Sequence, residues 1–216
     1  MANVSRINGF RPVKHIDGSP WNGQLNRYFV ASGDSAAIFQ GDLVKLAAVS
    51  DTQGQIVPAN SGIGSLGGTQ GATVFVAGTD TAAVGVMCGV AINPLNLNTP
   101  QYRLAFTATY ILVADDPTTV FEAQVDGTTG GGNTAGVIAT ANFNKNYSVT
   151  NAGGGSTTTG QSGMTVGAST AATTATLTLK MVGARQQVDN DITTANAKVL
   201  VLINSHQFNG TGTTAV

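Results

Sequence analysis

The groups in this 216-residue chain best suited to chemistry are two histidines, one cysteine and an adjacent pair of aspartates. His15 and His206 both sit in polar, loop-like text, and neither has a partner at the spacing that builds a metal site. Asp115 and Asp116 stand side by side in Asp115-Asp-Pro-Thr-Thr119. Paired carboxylates can serve as acid and base, but they must reach one bond from two sides, and neighbours on a turn do not. Asp-Pro opens tight turns because proline presets φ, so the turn role suffices. A calcium site would need further oxygens, for which Glu122 and Asp126 are the nearest in sequence. A Ser-His-Asp triad meets only in space, yet no G-x-S-x-G elbow supports one here.

Cys88 lies in the apolar run Val84-Gly-Val-Met-Cys-Gly-Val90 and reads as a small buried hydrophobe. As the only cysteine it leaves no intramolecular disulfide and no cysteine metal cluster. Gly62-Ile-Gly-Ser-Leu-Gly67 spells G-x-G-x-x-G, but Gly68-Thr-Gln-Gly71 and a strand follow it instead of a helix. The glycines of 127–132 and 153–160 lack the Lys-Ser/Thr of a phosphate-binding loop. The reading assigns no catalytic residue, no cofactor site and no metal site.

Composition points the same way. Charged residues are 10% of the chain, against about 25% in an ordinary soluble domain. Gly, Thr, Ser, Asn and Ala stand in their place. A chain this poor in ions lacks the usual basis of solubility as a lone molecule, which suggests a surface buried in an assembly. Net charge is −1, which argues against nucleic acid as a partner. Neither a signal-peptide h-region nor an apolar run of about 18 residues occurs, so cytoplasmic synthesis and no membrane span are expected.

The elements that would position these residues read as strands. Arg27–Ala31, Ala36–Phe39, Leu43–Val49, Ala72–Ala77 and Ala83–Ile92 are short, rich in aromatic or β-branched residues, and bounded by turn clusters. Tyr102–Phe106, Ala108–Ala114 and Val120–Val125 follow, the last two joined as a hairpin through Asp115–Thr119. Ala175–Val182 alternates apolar and polar, and Lys198–Asn204 is an apolar last strand. One short helix is possible over 133–142, and the Gly/Ser/Thr tract 151–172 is either mobile or clamped by a partner. The sum predicts an all-β chain, a barrel or sandwich body over 27–208 with long Gly/Ser/Thr-rich loops and a flexible tail over 209–216.

Residues 1–26 predict an extended N-terminal arm, because Pro12 and Pro20 force extended predecessors and no period is visible. The arm holds Phe10 and the only tryptophan, Trp21, and carries Arg6, Arg11 and Lys14 against Asp17 alone. It lies either across a neighbouring subunit or on its own body. Phe10, Arg11, Lys14, Trp21, Arg27 and Tyr28 are the candidate interaction residues, suited to an acidic partner surface.

Three stretches carry a family likeness: Asn8-Gly-Phe-Arg-Pro-Val-Lys-His-Ile-Asp-Gly-Ser-Pro-Trp-Asn-Gly23; Asn96-Leu-Asn-Thr-Pro-Gln-Tyr-Arg103 through Leu112-Val-Ala-Asp-Asp-Pro-Thr-Thr-Val-Phe-Glu122; and Ala175-Thr-Leu-Thr-Leu-Lys-Met-Val-Gly183 through Asn204-Ser-His-Gln207. In these the chain resembles the decoration, or cement, proteins of tailed-bacteriophage heads. The resemblance implies a β-rich homotrimer, made in the bacterial host cytoplasm and seated on the outer surface of the head. There it would bridge neighbouring subunits of the major capsid protein. The alternative is a tail or host-surface recognition module that stacks carbohydrate on Trp21, Tyr28, Tyr102, Tyr110 or Tyr147.

Overall fold

Short β-branched segments closed by glycine and aspartate turns have to find partners for their edges, and here five of them do so by closing on themselves. The computed structural model describes residues 3–50, 70–76, 79–94, 96–127, 137–150, 154–209 and 212. Strands β2 (Asn26–Val30), β3 (Leu43–Ser50), β4 (Gln70–Val74), β5 (Gly85–Val90) and β6 (Thr109–Ala114) form a closed barrel in the order β2-β4-β3-β5-β6. The closing contact is antiparallel, with Asn26 to Val30 of β2 opposite Val113 to Thr109 of β6.

A five-stranded sheet packs on the barrel in the order β1-β7-β12-β11-β8. It comprises β1 (Arg11–His15), β7 (Thr119–Gln124), β12 (Lys198–Ile203), β11 (Leu179–Ala184) and the two-residue β8 (Asn146–Tyr147). β9 (Val149–Thr150) and β10 (Thr165–Val166) make a small ribbon. The chain is therefore all-β around a barrel, as the strand pattern predicts. One apolar core joins the layers, since Ile111 and Val113 of the barrel belong to the same buried cluster as Phe121, Met181 and Val201 of the sheet.

The hairpin expected across Asp115–Thr119 does not form. β6 has both edges occupied by β2 and β5, and β7 has both occupied by β1 and β12. The turn is real: Asp116 Oδ1 accepts from the Thr118 amide and hydroxyl, both at 2.7 Å. It acts as a corner that hands the chain from barrel to sheet. Turn chemistry sets a reversal, and pairing is decided by which neighbours can bury both faces of each strand.

Two other expected strands are absent. Ala36–Phe39 and Tyr102–Phe106 meet only as one bridge, Ile38 opposite Arg103. Phe106 takes φ 55°, a left-handed conformation that ends any extended run. Of the helix expected over 133–142, residues 133–136 lie outside the described residues, and the remainder holds only a 3-10 turn at Thr140–Asn142. The 62–67 glycine motif, the glycines of 130–132 and most of the tail also lie outside them.

From residue 154 onward, the long tract is clamped by its own chain. Gln40 donates its backbone N–H to Gly160 O (2.9 Å) and accepts from Ser162 N (2.8 Å). Gly155 lies against the ring of Phe39, with no room for a Cβ. No helix among the described residues is long and apolar enough to cross a membrane.

Candidate interaction groove

The stretch read as an arm is extended, but from Phe10 to Trp21 it belongs to the body. β1 is the edge strand of the sheet, with Arg11 opposite Glu122 and His15 opposite Thr119. The chain then doubles back, with His15 N donating to Ser19 O (2.8 Å) and Trp21 N to Val13 O (3.3 Å). That return covers the outer edge of β1, and Pro12 removes one further donor from it. Phe10 is 1% exposed and sits in the chain's own core, so it is no free anchor for a neighbour.

The entry to β1 is fixed by an unusual backbone contact. Gly9 and Gly41 both have positive φ, 67° and 94°. A Cβ on Gly9 would lie 2.5 Å from Gly41 O, and one on Gly41 2.5 Å from Asn8 O. Two backbones touch here because neither residue carries a side chain. Phe10 N donates to Gly41 O at 2.9 Å across the same contact.

Phe10, Arg11 and Trp21 meet at one cleft of about 340 Å³ between β1 and the barrel. Gln40, Gln161 and Cys88 complete its walls. Arg11 reaches Gln161 Oε1 at 3.5 Å, and Gln161 Nε2 donates to Gln40 Oε1 at 3.2 Å. Trp21 is half-buried and rests on the core. Burial pushes the Cys88 thiol up to about 11, which disfavours its thiolate at neutral pH.

The other three candidates lie elsewhere. Lys14 stands beyond the cleft on β1, bridged to Pro20. Arg27 lies 4.1 Å over the ring of Tyr110, which itself packs on Phe29, so it caps an aromatic pair on the outer barrel wall. Tyr28 is a core residue whose hydroxyl donates to Asp115 Oδ2 at 2.6 Å. Burial, then that carboxylate, raise its pKa further above the ordinary phenol.

The fold also gathers the residues first weighed for catalysis. His15 Nδ1 stands 3.5 Å from Asp116 Oδ2, and Asn26 Nδ2 donates to Asp115 at 2.9 Å. His206 is 1% exposed beside the same corner, its Nδ1 accepting from Phe208 N at 3.1 Å, and burial depresses its pKa. Asp116 is held below the ordinary carboxylate range, first by the Thr118 amide. The geometry ties barrel to sheet. No three His, Cys, Asp or Glu side chains converge as metal ligands among the described residues.

Sequence reasoning missed Gln40, Gln161 and the buried Arg103. Arg103 is fully buried and donates to four carbonyls: Nε to Thr107 O (3.0 Å), Nη2 to Ala31 O (2.8 Å) and Asp34 O (3.0 Å), and Nη1 to Ala36 O. Asp34 Oδ1 lies 3.7 Å away. This guanidinium fastens the 103–107 stretch to the 31–36 loop that leaves β2. No family model, no curated protein and no solved structure matches the chain.

Proposed function

We propose that this chain is a structural protein of a bacteriophage particle, a trimer on the outer surface of the head that bridges subunits of the major capsid protein. It works by packing and shape, without covalent chemistry.

One observation carries the reading. Every described carboxylate except that of Asp189 is engaged in holding the chain's own backbone, hydroxyls, amides or cations. Asp42 takes the Phe39 amide at 2.8 Å, Asp80 the Val76 amide at 2.7 Å, and Asp126 the Ala168 amide at 2.9 Å. The carboxylates are thus used to fasten loops. A general acid or base must instead reach a substrate proton. Rigid loops on an ion-poor barrel suit a part that fits against a lattice, and repetition over a shell multiplies a modest contact. The likeness of the three sequence stretches to head decoration proteins supplies the location.

A second reading is favoured by Trp21 beside the Gln40–Gln161 amide pair, a face that also suits a sugar ring. Antibody labelling of particles under negative stain separates the two. Label spread over the head is expected; label confined to the tail tip overturns the head assignment, and label nowhere on the particle overturns both.

A further inference from the structure

The cleft at Trp21 is one of a series of adjoining clefts that share wall residues. Asn8 and Arg11 also wall a cleft of about 220 Å³, and Arg6 and Lys198 carry that one into a third of about 150 Å³. On the other side Gln40 is shared with a cleft of about 470 Å³ under the 92–101 connection.

The two ends differ in chemistry. At one end Arg6, Arg11 and Lys198 have no carboxylate partner among the described residues. Glu122, which lines the same stretch, is already paired with Arg185 at 3.1 Å. Asp189 is the one unengaged carboxylate among the described residues, in the outermost cleft. At the other end Ile92 is 75% exposed and Leu97 77%. Both line the cleft that Gln40 joins to Trp21. In a chain with so few charges, three cations without a salt bridge, against one such carboxylate, along these clefts form a distinct electrostatic feature, and exposed aliphatics at their end mark a contact surface.

We propose that these clefts together hold an extended, acidic segment of a different chain. Its carboxylates lie along Arg6, Arg11 and Lys198, and its apolar residues lie over Trp21 and against Ile92 and Leu97. The Gly9–Gly41 contact pre-organises the entry to β1 beside Arg11 and Trp21, so little ordering there opposes binding. A neutral sugar leaves the cations unanswered. A nucleic acid would need more cations than three and finds none at the aliphatic end. The inference rests on the reading of the chain as one that works by binding another; on a phage head the segment would belong to a capsid subunit.

The test is selection from a displayed library of random dodecapeptides on the full chain. Counter-selection uses the Arg6→Glu, Arg11→Glu, Lys198→Gln variant. Recovered peptides are synthesised and titrated against the fluorescence of Trp21. The expected peptides carry clustered Asp or Glu beside aliphatic residues. Each lost cation weakens them about tenfold or less, more so at low salt. Leu97→Asp weakens the same peptides while leaving the melting temperature unchanged.

Failure to recover peptides in preference to the variant overturns the proposal. So does recovery of sequences without an acidic excess, or a Trp21 response to maltoheptaose and not to peptide. A chain that protects shells yet fails this selection sinks the groove alone. One that recovers acidic peptides yet decorates no particle sinks the virion reading alone.

Discussion

Replacing Arg103 by methionine keeps most of the side-chain volume and removes every donor. Four carbonyl oxygens, of Ala31, Asp34, Ala36 and Thr107, then lose their guanidinium partner. Ala31 O keeps the Asp34 amide (3.1 Å), Asp34 O the Phe106 amide (2.9 Å) and Thr107 O the Thr109 hydroxyl (3.4 Å), so the cost of an unpaired buried acceptor, about 1–3 kcal/mol, falls chiefly on Ala36 O. Truncating one member of a buried ionic arrangement costs about 3–5 kcal/mol, and that is the loss expected here. A domain of this size loses about 2–4 °C of melting temperature per kcal/mol, so Arg103→Met should melt about 10 °C or more below wild type. Arg103→Lys keeps the charge without the planar fork and should lose an intermediate amount. Urea unfolding followed by Trp21 fluorescence reads both as a lowered midpoint at unchanged slope. A loss under about 1 kcal/mol for Arg103→Met would contradict this, because it would mean that neither the Ala36 carbonyl nor the Asp34 carboxylate depends on the guanidinium.

Asp42 is buried, and burial pushes its carboxyl up to about 6 from the ordinary 3.8, the Phe39 amide and Ser162 hydroxyl offsetting only part. A raised folded-state value means that its contribution is fullest below pH 3.8 and is lost as pH rises through 6. The wild-type stability lead over Asp42→Asn should therefore shrink by about 2–3 kcal/mol between pH 4 and pH 7.5, measured by urea midpoints; a constant lead contradicts this. Gly9→Ala combines φ 67° with a Cβ 2.5 Å from Gly41 O, and should cost about 2–4 kcal/mol in the same assay, where a neutral result shows that the contact relaxes freely. Deleting residues 1–26, which an arm reading treats as harmless to the body, removes β1 and the buried Phe10 side chain. Loss of a Phe side chain alone costs about 3–5 kcal/mol against a total of about 5–15. Calorimetry should find no cooperative transition in that truncation, and a wild-type melt would restore the detachable arm.

Most strands were legible because β-branched and aromatic runs between glycine and aspartate turns state their own extent. Leu43–Val49, Ala108–Ala114 and Lys198–Asn204 lie within a residue or so of β3, β6 and β12. Pairing was not legible. Asp115–Thr119 signals a reversal with equal strength whether it closes a hairpin or turns a corner between layers. β1 was hidden by Pro12, which reads as a breaker in a strand and is tolerated because the strand is an edge. Tyr102–Phe106 alternates like a strand, but its arginine faces inward onto four carbonyls, a role that no local pattern announces. Of the candidate site, Phe10, Arg11 and Trp21 were named from an aromatic and basic stretch, and they do share a cleft. Gln40 and Gln161 were out of reach, since they stand 121 residues apart and meet only when the Gly/Ser/Thr tract folds back onto the barrel.

The virion reading is tested most directly by heating. Particles are prepared with this protein and without it, and release of their packaged DNA is followed against temperature with an intercalating dye. A stabilising coat predicts that bare particles release DNA at a lower temperature, and that adding the purified chain restores the difference. Release at one temperature from both, unaffected by added protein, contradicts the account.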